Sequence, residues 1–157
     1  MNIMKFDRQD TEEIIHLFYD TVHSVNAKDY SESQLDAWAP KEEKQSKVKI
    51  WRDSLHQNIT YVAKINDMIV GFSDIMHTGY LDRLFVHKGY QGKGIATALI
   101  EKIELEARKL NLQEINTNAS ITAKRFFQRR GYNVVSEQQV ERKGITLTNF
   151  HMRKEFN

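Results

Sequence analysis

The stretch LFVHKGYQGKGIAT, residues 84–97, decides how this sequence is interpreted. It begins at the end of a strand-like run, Tyr80–Val86, passes through a glycine-rich turn, and enters an amphipathic helical pattern at Ile95. A strand that leads through such a turn into a helix presents free backbone N–H groups at the positive end of the helix dipole. Gly92 and Gly94 let a ligand approach the backbone closely. The stretch therefore predicts a phosphate site.

Two common phosphate motifs do not fit this turn. The Walker motif places four residues between its first glycine and its Gly-Lys pair, whereas Gly89 and Gly92 are separated by only two. Gly94 also stands where that motif has Ser or Thr. The dinucleotide motif of Rossmann folds would need a glycine in place of Thr97. The predicted phosphate ligand therefore belongs to another class of binding loop.

The rest of the chain predicts a mixed αβ layered domain, because strand-like and helical patterns alternate along it. The single proline, Pro40, and seven dispersed glycines form no linker, so residues 1–157 are interpreted as one domain. The predicted strands are Asn2–Phe6, Ile59–Ile65, Met68–Met76, Tyr80–Val86, Glu114–Asn118, Asn133–Glu141 and Ile145–Arg153. Two predicted helices begin at Thr11 and at Ile95. Three others span Ser31–Trp38, Lys41–His56 and Ser120–Arg130.

Composition excludes several classes of function. The 23 basic and 21 acidic residues give a net charge of +2, which is too balanced to favour a nucleic acid partner. The absence of cysteine excludes disulfides, a Cys-based zinc site and a cysteine nucleophile. The six histidines have no ligand spacing, so no metal is predicted. No apolar run approaches the roughly 18 residues of a membrane span, and we expect a cytoplasmic protein without a membrane partner.

The spacing Gln91-x-x-Gly94-x-Ala96 resembles the coenzyme A loop of the GNAT superfamily of acyl-CoA-dependent N-acetyltransferases. A second segment is also similar to that family: Ser120-x-x-Ala123-x-x-x-Phe127-x-x-x-Gly131-Tyr132. The similarity extends to the bacterial YafP-like branch of the family in five short segments. These are Tyr30-Ser31, Ala37-Trp38, Ala119–Lys124, Phe126-Phe127 and Thr148–Phe150.

The resemblance implies a fold, a co-substrate and a binding site. The fold would be α+β, an αβ layered sandwich with a mixed, mostly antiparallel sheet flanked by helices and a splayed parallel strand pair. Acetyl-CoA would be the co-substrate, and the N–H of Val86 would hydrogen-bond its thioester carbonyl. The residues implied in its binding are Leu84, Phe85, Val86, Gln91, Gly92, Lys93, Gly94, Ile95, Ala96, Thr97, Ser120, Ala123 and Phe127.

The general base is expected among a few residues. A primary amine is mostly protonated at pH 7, so a group must accept its proton. In the family this is often a carboxylate on the strand before the loop, where Asp82 is the only one; alternatively, Asp82 pairs with Arg83 or faces solvent. His151 is a second candidate for base or substrate contact, unless it is a plain surface histidine.

One departure from the family concerns the acid that protonates the CoA thiolate. Phe127 stands where the family often has Tyr, and a phenyl ring cannot donate a proton. Either the thiolate leaves without a dedicated acid, since a thiol pKa is about 8.5, or another group serves. Tyr80, Tyr90 and Tyr132 are the candidates, with Tyr132 expected in the core. Phe127 is expected to wall the thioester pocket.

The acceptor side is predicted from the resemblance alone. His23, Tyr30, Trp38 and Asn149 are expected to contact the acceptor, although Trp38 also suits a core position. We expect direct transfer to a small-molecule amine in a ternary complex, by a monomer or homodimer. The alternatives are a non-catalytic acyl-CoA-binding module and an enzyme acting on a protein or charged tRNA amine.

Overall fold

One seven-stranded sheet forms the centre of the computed structural model, which describes residues 1–157. Its order is β1-β2-β3-β4-β5-β7-β6. Every neighbouring pair is antiparallel except β4 and β5, which are parallel. The strands are β1 Asn2–Lys5, β2 Ile59–Ile65, β3 Met68–Ile75, β4 Tyr80–Val86, β5 Glu114–Ser120, β6 Asn133–Arg142 and β7 Ile145–Glu155.

Five α-helices cover the two faces of this sheet. They are α1 Thr11–Ser24, α2 Glu32–Trp38, α3 Lys47–Gln57, α4 Ile95–Lys109 and α5 Ile121–Arg129. Alternation along β2 separates the two layers: Tyr61 and Ala63 belong to the core under α4 and α5, while Val62 belongs to the core under α1, α2 and α3. The predicted α+β layered sandwich is confirmed. None of the helices has both the length and the apolar character that crossing a membrane requires.

Two predicted helix starts are confirmed by their caps. The Ser31 side chain accepts a hydrogen bond from Gln34 N–H, and the Gln34 side chain accepts one from Ser31 N–H. These two bonds form a capping box. The Ser120 hydroxyl accepts from Ala123 N–H at the start of α5. Both serines satisfy backbone N–H groups that a helix leaves unpaired in its first turn.

The prediction of one helix over Lys41–His56 is wrong. A short 3₁₀ turn, Lys41–Glu43, precedes a break, and α3 begins only at Lys47. The sequence KEEKQS, residues 41–46, has no apolar side chain that could pack on the core. The apolar stripe of α3 starts at Val48, so tertiary packing stabilises a helix only from that point.

Strands β4 and β5 are paired over a very short distance. Their register contains only Tyr80 opposite Asn116 and Leu81 opposite Thr117, and beyond these pairs the strands part. On the other side of β4, Ile75 pairs with Leu81 and Asp74 with Arg83. Asp82 is therefore an unpaired bulge residue, and bulges bend and twist a strand. The bulge lies at the point where β4 leaves β5.

Gly71 on β3 sets the distance between the sheet and α4. A Cβ atom at this position would lie 3.0 Å from Ile95 Cγ2 and 3.1 Å from Leu99 Cδ1, with Phe85 O at 3.2 Å. The absent side chain lets the first turns of α4 approach the strand. The start of α4 is thereby held close to the end of β4.

Replacing Gly71 with Ala should lower the free energy of unfolding by about 1–3 kcal/mol, because the added methyl overpacks this contact. Urea denaturation would measure the change. Gly89→Ala is the matched control, since Gly89 has a negative φ and its added methyl would meet only the His87 ring. Equal stability of Gly71→Ala and wild type would contradict the proposed close packing.

Candidate active site

A cavity of about 590 Å³ opens where β4 and β5 part. One part of its wall is the glycine-rich loop, the first turn of α4 and the start of α5. The other part comes from the opposite layer and carries Trp38, Trp51 and Phe85. A cavity of this size that reaches through the gap between two strands can bring together two ligands from the two sides of the sheet.

The loop at the start of α4 presents unpaired backbone donors. None of the N–H groups of residues 91–94 donates a hydrogen bond within the protein. The first helical bond runs from Ala98 N–H to Gly94 O, so the N–H groups of residues 95–97 are also free at the positive end of α4. Gly94 caps the helix without a side-chain hydrogen bond, and no acidic residue lies in the first turn. The expected partner of this end is an external anion.

The conformation of the loop requires its glycines. Gly92 and Gly94 have φ of +72° and +80°, in the left-handed region that favours glycine. A Cβ at either position would meet nothing within 4 Å, so the space in front of the loop is open. Gln91 Nε2 donates to Val86 O at 2.6 Å and ties the loop to the end of β4. The backbone N–H groups of the loop are thus open to an anion.

The backbone N–H of Val86 points toward the gap between the strands. Val86 is opposite Gly71 in the β3–β4 ladder, and the next residue, His87, donates its N–H to Val70 O at 2.8 Å. Antiparallel strands alternate, so the N–H of Val86 points away from β3. The side to which it points is the side where β5 has diverged.

Phe127 is 2% exposed and lines the cavity. Of the three tyrosines considered as acids, Tyr132 is buried outside the cavity, and its hydroxyl donates to Glu104 Oε2 at 2.9 Å. Burial and the Glu104 carboxylate raise the Tyr132 pKa. Tyr80 and Tyr90 both line the cavity. Of the three candidate acids, these two therefore lie on the cavity wall.

Asp82 belongs to a charged network in the cavity wall. Its carboxylate lies 3.3 Å from Arg83 Nη2, and its side chain is 35% exposed. Arg83 also lies 3.1 Å from Asp74, donates to Ser54 Oγ and sits 4.5 Å from the Trp51 ring centre. The guanidinium is therefore held between two carboxylates and a ring face, which fixes the position of the neighbouring Asp82.

Asp74 anchors this network from inside the core. It is fully buried, accepts a hydrogen bond from Asn58 Nδ2 at 2.9 Å, and has no hydrogen bond to Oδ1. Burial raises the pKa of Asp74 to about 6, although Arg83 and Asn58 act in the opposite direction. Desolvation therefore outweighs the ion pair at this site.

The predicted acceptor-side residues separate into two groups. Tyr30, Trp38 and Asn149 line the cavity, while His23 does not. His23 Nε2 donates to Ala39 O at 2.8 Å and belongs to a small surface pocket outside the cavity. The Tyr30 hydroxyl donates to Thr148 O and accepts from Ile121 N–H, which anchors the start of α5 to β7.

Two further predicted residues lie outside the cavity wall. His151 is absent from the cavity wall, and its Nε2 lies 2.8 Å from Asn116 Oδ1. The Lys93 ammonium lies 5.7 Å from the Tyr90 ring centre, and only its backbone N–H belongs to the loop described above. All the other residues predicted to bind the co-substrate line the cavity: Leu84, Phe85, Val86, Gln91, Gly92, Gly94, Ile95, Ala96, Thr97, Ser120, Ala123 and Phe127.

The cavity residues absent from the predicted site include Lys47, Trp51, Arg83 and Arg142. Trp51 carried a usable signal, because it lies on the apolar stripe of α3. Arg83 was considered only as a partner of Asp82. Lys47 and Arg142 come from distant segments of a chain rich in exposed cations, and nothing local distinguishes them.

The comparisons with known proteins agree with this geometry. Residues 26–156 match the family described as an acetyltransferase (GNAT) domain. The chain is 36% identical over 155 residues to the uncharacterized N-acetyltransferase YafP of Escherichia coli strain K12, covering 98% of this chain and 95% of that protein.

Solved structures show the same fold. A GCN5-related N-acetyltransferase described as an aminotransferase, class II, from Rhodopseudomonas palustris is 28% identical, with a TM-score of 0.91 and coverage of 99% of this chain and 95% of that one. The PaiA N-acetyltransferase of Thermoplasma acidophilum, solved with coenzyme A, is 20% identical, with a TM-score of 0.72 and coverage of 99% and 98%.

The chain belongs to the GNAT family of N-acetyltransferases. It is therefore an enzyme of the acyltransferase class.

The buried Asp74 gives a testable dependence of stability on pH. Its pKa is about 6 when folded against an ordinary value of 3.8, so the folded state binds this proton more tightly between those values. Its contribution to stability is greatest at low pH and falls as the pH rises to about 6. The free energy of unfolding of wild type minus that of Asp74→Asn should fall by about 2 kcal/mol between about pH 4.5 and 7.5.

Urea denaturation at several pH values measures this difference. The exposed Asp53 on α3 provides the control, Asp53→Asn, whose difference from wild type should stay flat. A difference between wild type and Asp74→Asn that rises with pH would contradict the dominance of burial at Asp74.

Proposed function

We propose that residues 1–157 form a single acetyltransferase domain that moves an acetyl group directly from acetyl-CoA to a primary amine in a ternary complex. The observation that carries the proposal is the row of unpaired N–H groups at the start of α4, next to the gap between β4 and β5. A diphosphate bound at this row would bring the thioester end of the same molecule into the gap. Holding amine and thioester together accounts for much of the expected rate.

The binding of acetyl-CoA divides into three parts. The N–H groups from Gly92 to Thr97 would hold the diphosphate. The stretch Leu84–Val86 would follow the pantetheine arm, opposite Ser120 and Ala123 on the far side of the gap. Phe127 would wall the acetyl end. The fold similarity to a structure solved with coenzyme A supports the proposal at the level of the fold.

The backbone of β4 would stabilise the charge that develops during transfer. The N–H of Val86 points into the gap, where it could donate to the thioester carbonyl oxygen. Removing one such donor from other enzymes slows acyl transfer by about 10²–10³-fold. Because this donor is main chain, no side chain is needed for this step.

Asp82 is the proposed acceptor of the amine proton. It lies on the cavity wall, retains solvent access, and is positioned by Arg83. Proton transfer through a water molecule is compatible with this exposure. His151 lies outside the wall, so the proposal assigns the proton to Asp82. The thiolate would leave either unprotonated or with a proton from Tyr80 or Tyr90.

The dimensions of the cavity support a small-molecule amine as acceptor. Its volume of about 590 Å³ must hold part of acetyl-CoA as well as the acceptor, which favours a small amine. Phe127 supports one alternative, a module that binds acyl-CoA without turnover, because it lacks a proton to donate. Release of CoA with any amine would decide against that alternative. A protein or charged tRNA amine is a further alternative, and the cytoplasm is the compartment we expect for the protein.

Replacing Gly94 with Glu should weaken acetyl-CoA binding by about 100-fold or more, because a carboxylate would occupy the proposed anion site. Isothermal titration calorimetry measures the affinity. Gly144→Glu is a close control, since Gly144 also has a positive φ and open surroundings but lies in the β6–β7 turn. Equal affinities of the two variants would place the diphosphate elsewhere.

Replacing Asp82 with Asn should lower kcat/KM for the amine by about 10²-fold or more and remove the acidic limb of the pH–rate profile. The affinity for acetyl-CoA should not change, which calorimetry would show. Asp53→Asn serves as the control for loss of one carboxylate. An unaltered rate with an unaltered acidic limb would exclude Asp82 as the base.

A further inference from the structure

The charges on the cavity wall are unequal in number. Four charged side chains line the cavity, the cations Lys47, Arg83 and Arg142 and the single anion Asp82. Arg83 is engaged by Asp82 at 3.3 Å and by the buried Asp74 at 3.1 Å. Counting both carboxylates, three positive and two negative charges leave an excess of one. The excess positive charge lies on Lys47 and Arg142, which do not pair with Asp74 or Asp82.

Lys47 and Arg142 have no carboxylate partner. Every ion pair of the protein involves other cations, and the adjacent Lys143 on the β6–β7 turn pairs with Glu43. Arg142 donates only to the carbonyl of its neighbour Glu141, at 3.3 Å. Lys47 lies near the Glu43 carboxylate, but Lys143 already binds that carboxylate, so both cavity cations are available for an anion from outside.

Lys47 occupies a position that does not favour its helix. It is the first residue of α3, where a cation opposes the helix dipole. The first turn of α3 contains no acidic residue, and Ser46 makes no side-chain capping bond. Local helix stability therefore does not explain a lysine at this position. Glu43, four residues earlier, attracts Lys47 but is bound by Lys143, so a ligand in the cavity would supply the anion that Lys47 lacks.

Arg142 lines the same cavity as the proposed base, Asp82. The pKa of Tyr80 is raised chiefly by burial and further by Asp82, and Arg142 acts in the opposite direction. Both charges are therefore near the Tyr80 hydroxyl, which also accepts a hydrogen bond from Asn118. An acceptor bound in the cavity would meet both a carboxylate and a guanidinium on its wall.

We propose that the acceptor is a small amine that also carries an anionic group, a carboxylate or a phosphate, which Lys47 and Arg142 bind while Asp82 faces the amine. This inference rests on the proposed function and names its substrate class. A polycationic amine would be repelled by the excess positive charge. A monoamine without an anion would leave the half-buried Lys47 and the exposed Arg142 without an anionic partner.

The two tryptophans provide a binding assay that does not require turnover. Trp38 and Trp51 are the only tryptophans of the chain, and both line the cavity. Their fluorescence can be followed while protein saturated with CoA is titrated with two matched pairs of amines. Leucine and 3-methylbutylamine differ only in the carboxylate; phosphoethanolamine and ethanolamine differ only in the phosphate. Spermidine represents polycationic amines.

In at least one pair the anionic member should bind about tenfold tighter or more, as expected for charge-assisted hydrogen bonds. The pair that shows the preference identifies carboxylate or phosphate. Combining Lys47→Gln with Arg142→Gln should abolish the preference and leave the affinity for acetyl-CoA within about twofold. Lys49→Gln combined with Arg129→Gln removes two exposed cations outside the cavity and should preserve it.

Equal binding within both pairs, tighter binding of spermidine, or no fluorescence response to any amine would overturn the inference. A preference that survives in the Lys47→Gln, Arg142→Gln protein would also overturn it. CoA release is measured in parallel. Transfer to amines without regard to their charge would leave the proposed function intact, whereas selective binding of anionic amines without CoA release would defeat the proposed function alone.

Discussion

The short pairing between β4 and β5 is the constraint on which the rest of the site depends. Only two residue pairs join these parallel strands, and the bulge at Asp82 directs β4 away from β5 immediately afterwards. The separation turns backbone that would otherwise complete a ladder toward a cavity. It also opens a passage between the two helical layers. Co-substrate and acceptor can therefore meet at the level of the sheet.

Backbone N–H groups and a buried carboxylate fix the charge distribution around this gap. The start of α4 carries the partial positive charge of its helix dipole and free N–H groups, so no cationic side chain is needed to bind a diphosphate. At the opposite wall, the buried Asp74 holds Arg83, which in turn holds Asp82. Rigid supports of this kind keep reacting groups in position without reorganisation during the reaction.

Local sequence signals identified the features that depend on neighbouring residues. The caps at Ser31 and Ser120 and the loop at residues 91–97 were predicted because their physics is contained within a few residues. Helix α3 was predicted too long because packing on a distant core, and not the intrinsic preference of residues 41–46, decides where it begins. The contact between Asp74 and Arg83 depends on the register of β3 against β4, which local sequence patterns do not determine.

A crystal structure of the protein with acetyl-CoA would show directly where the co-substrate binds. We expect diphosphate oxygens about 3 Å from the N–H groups of Gly92–Thr97 and a thioester carbonyl at a similar distance from the N–H of Val86. The pantetheine arm should occupy the gap between β4 and β5. A diphosphate bound away from the start of α4, or a thioester outside the gap, would contradict the account.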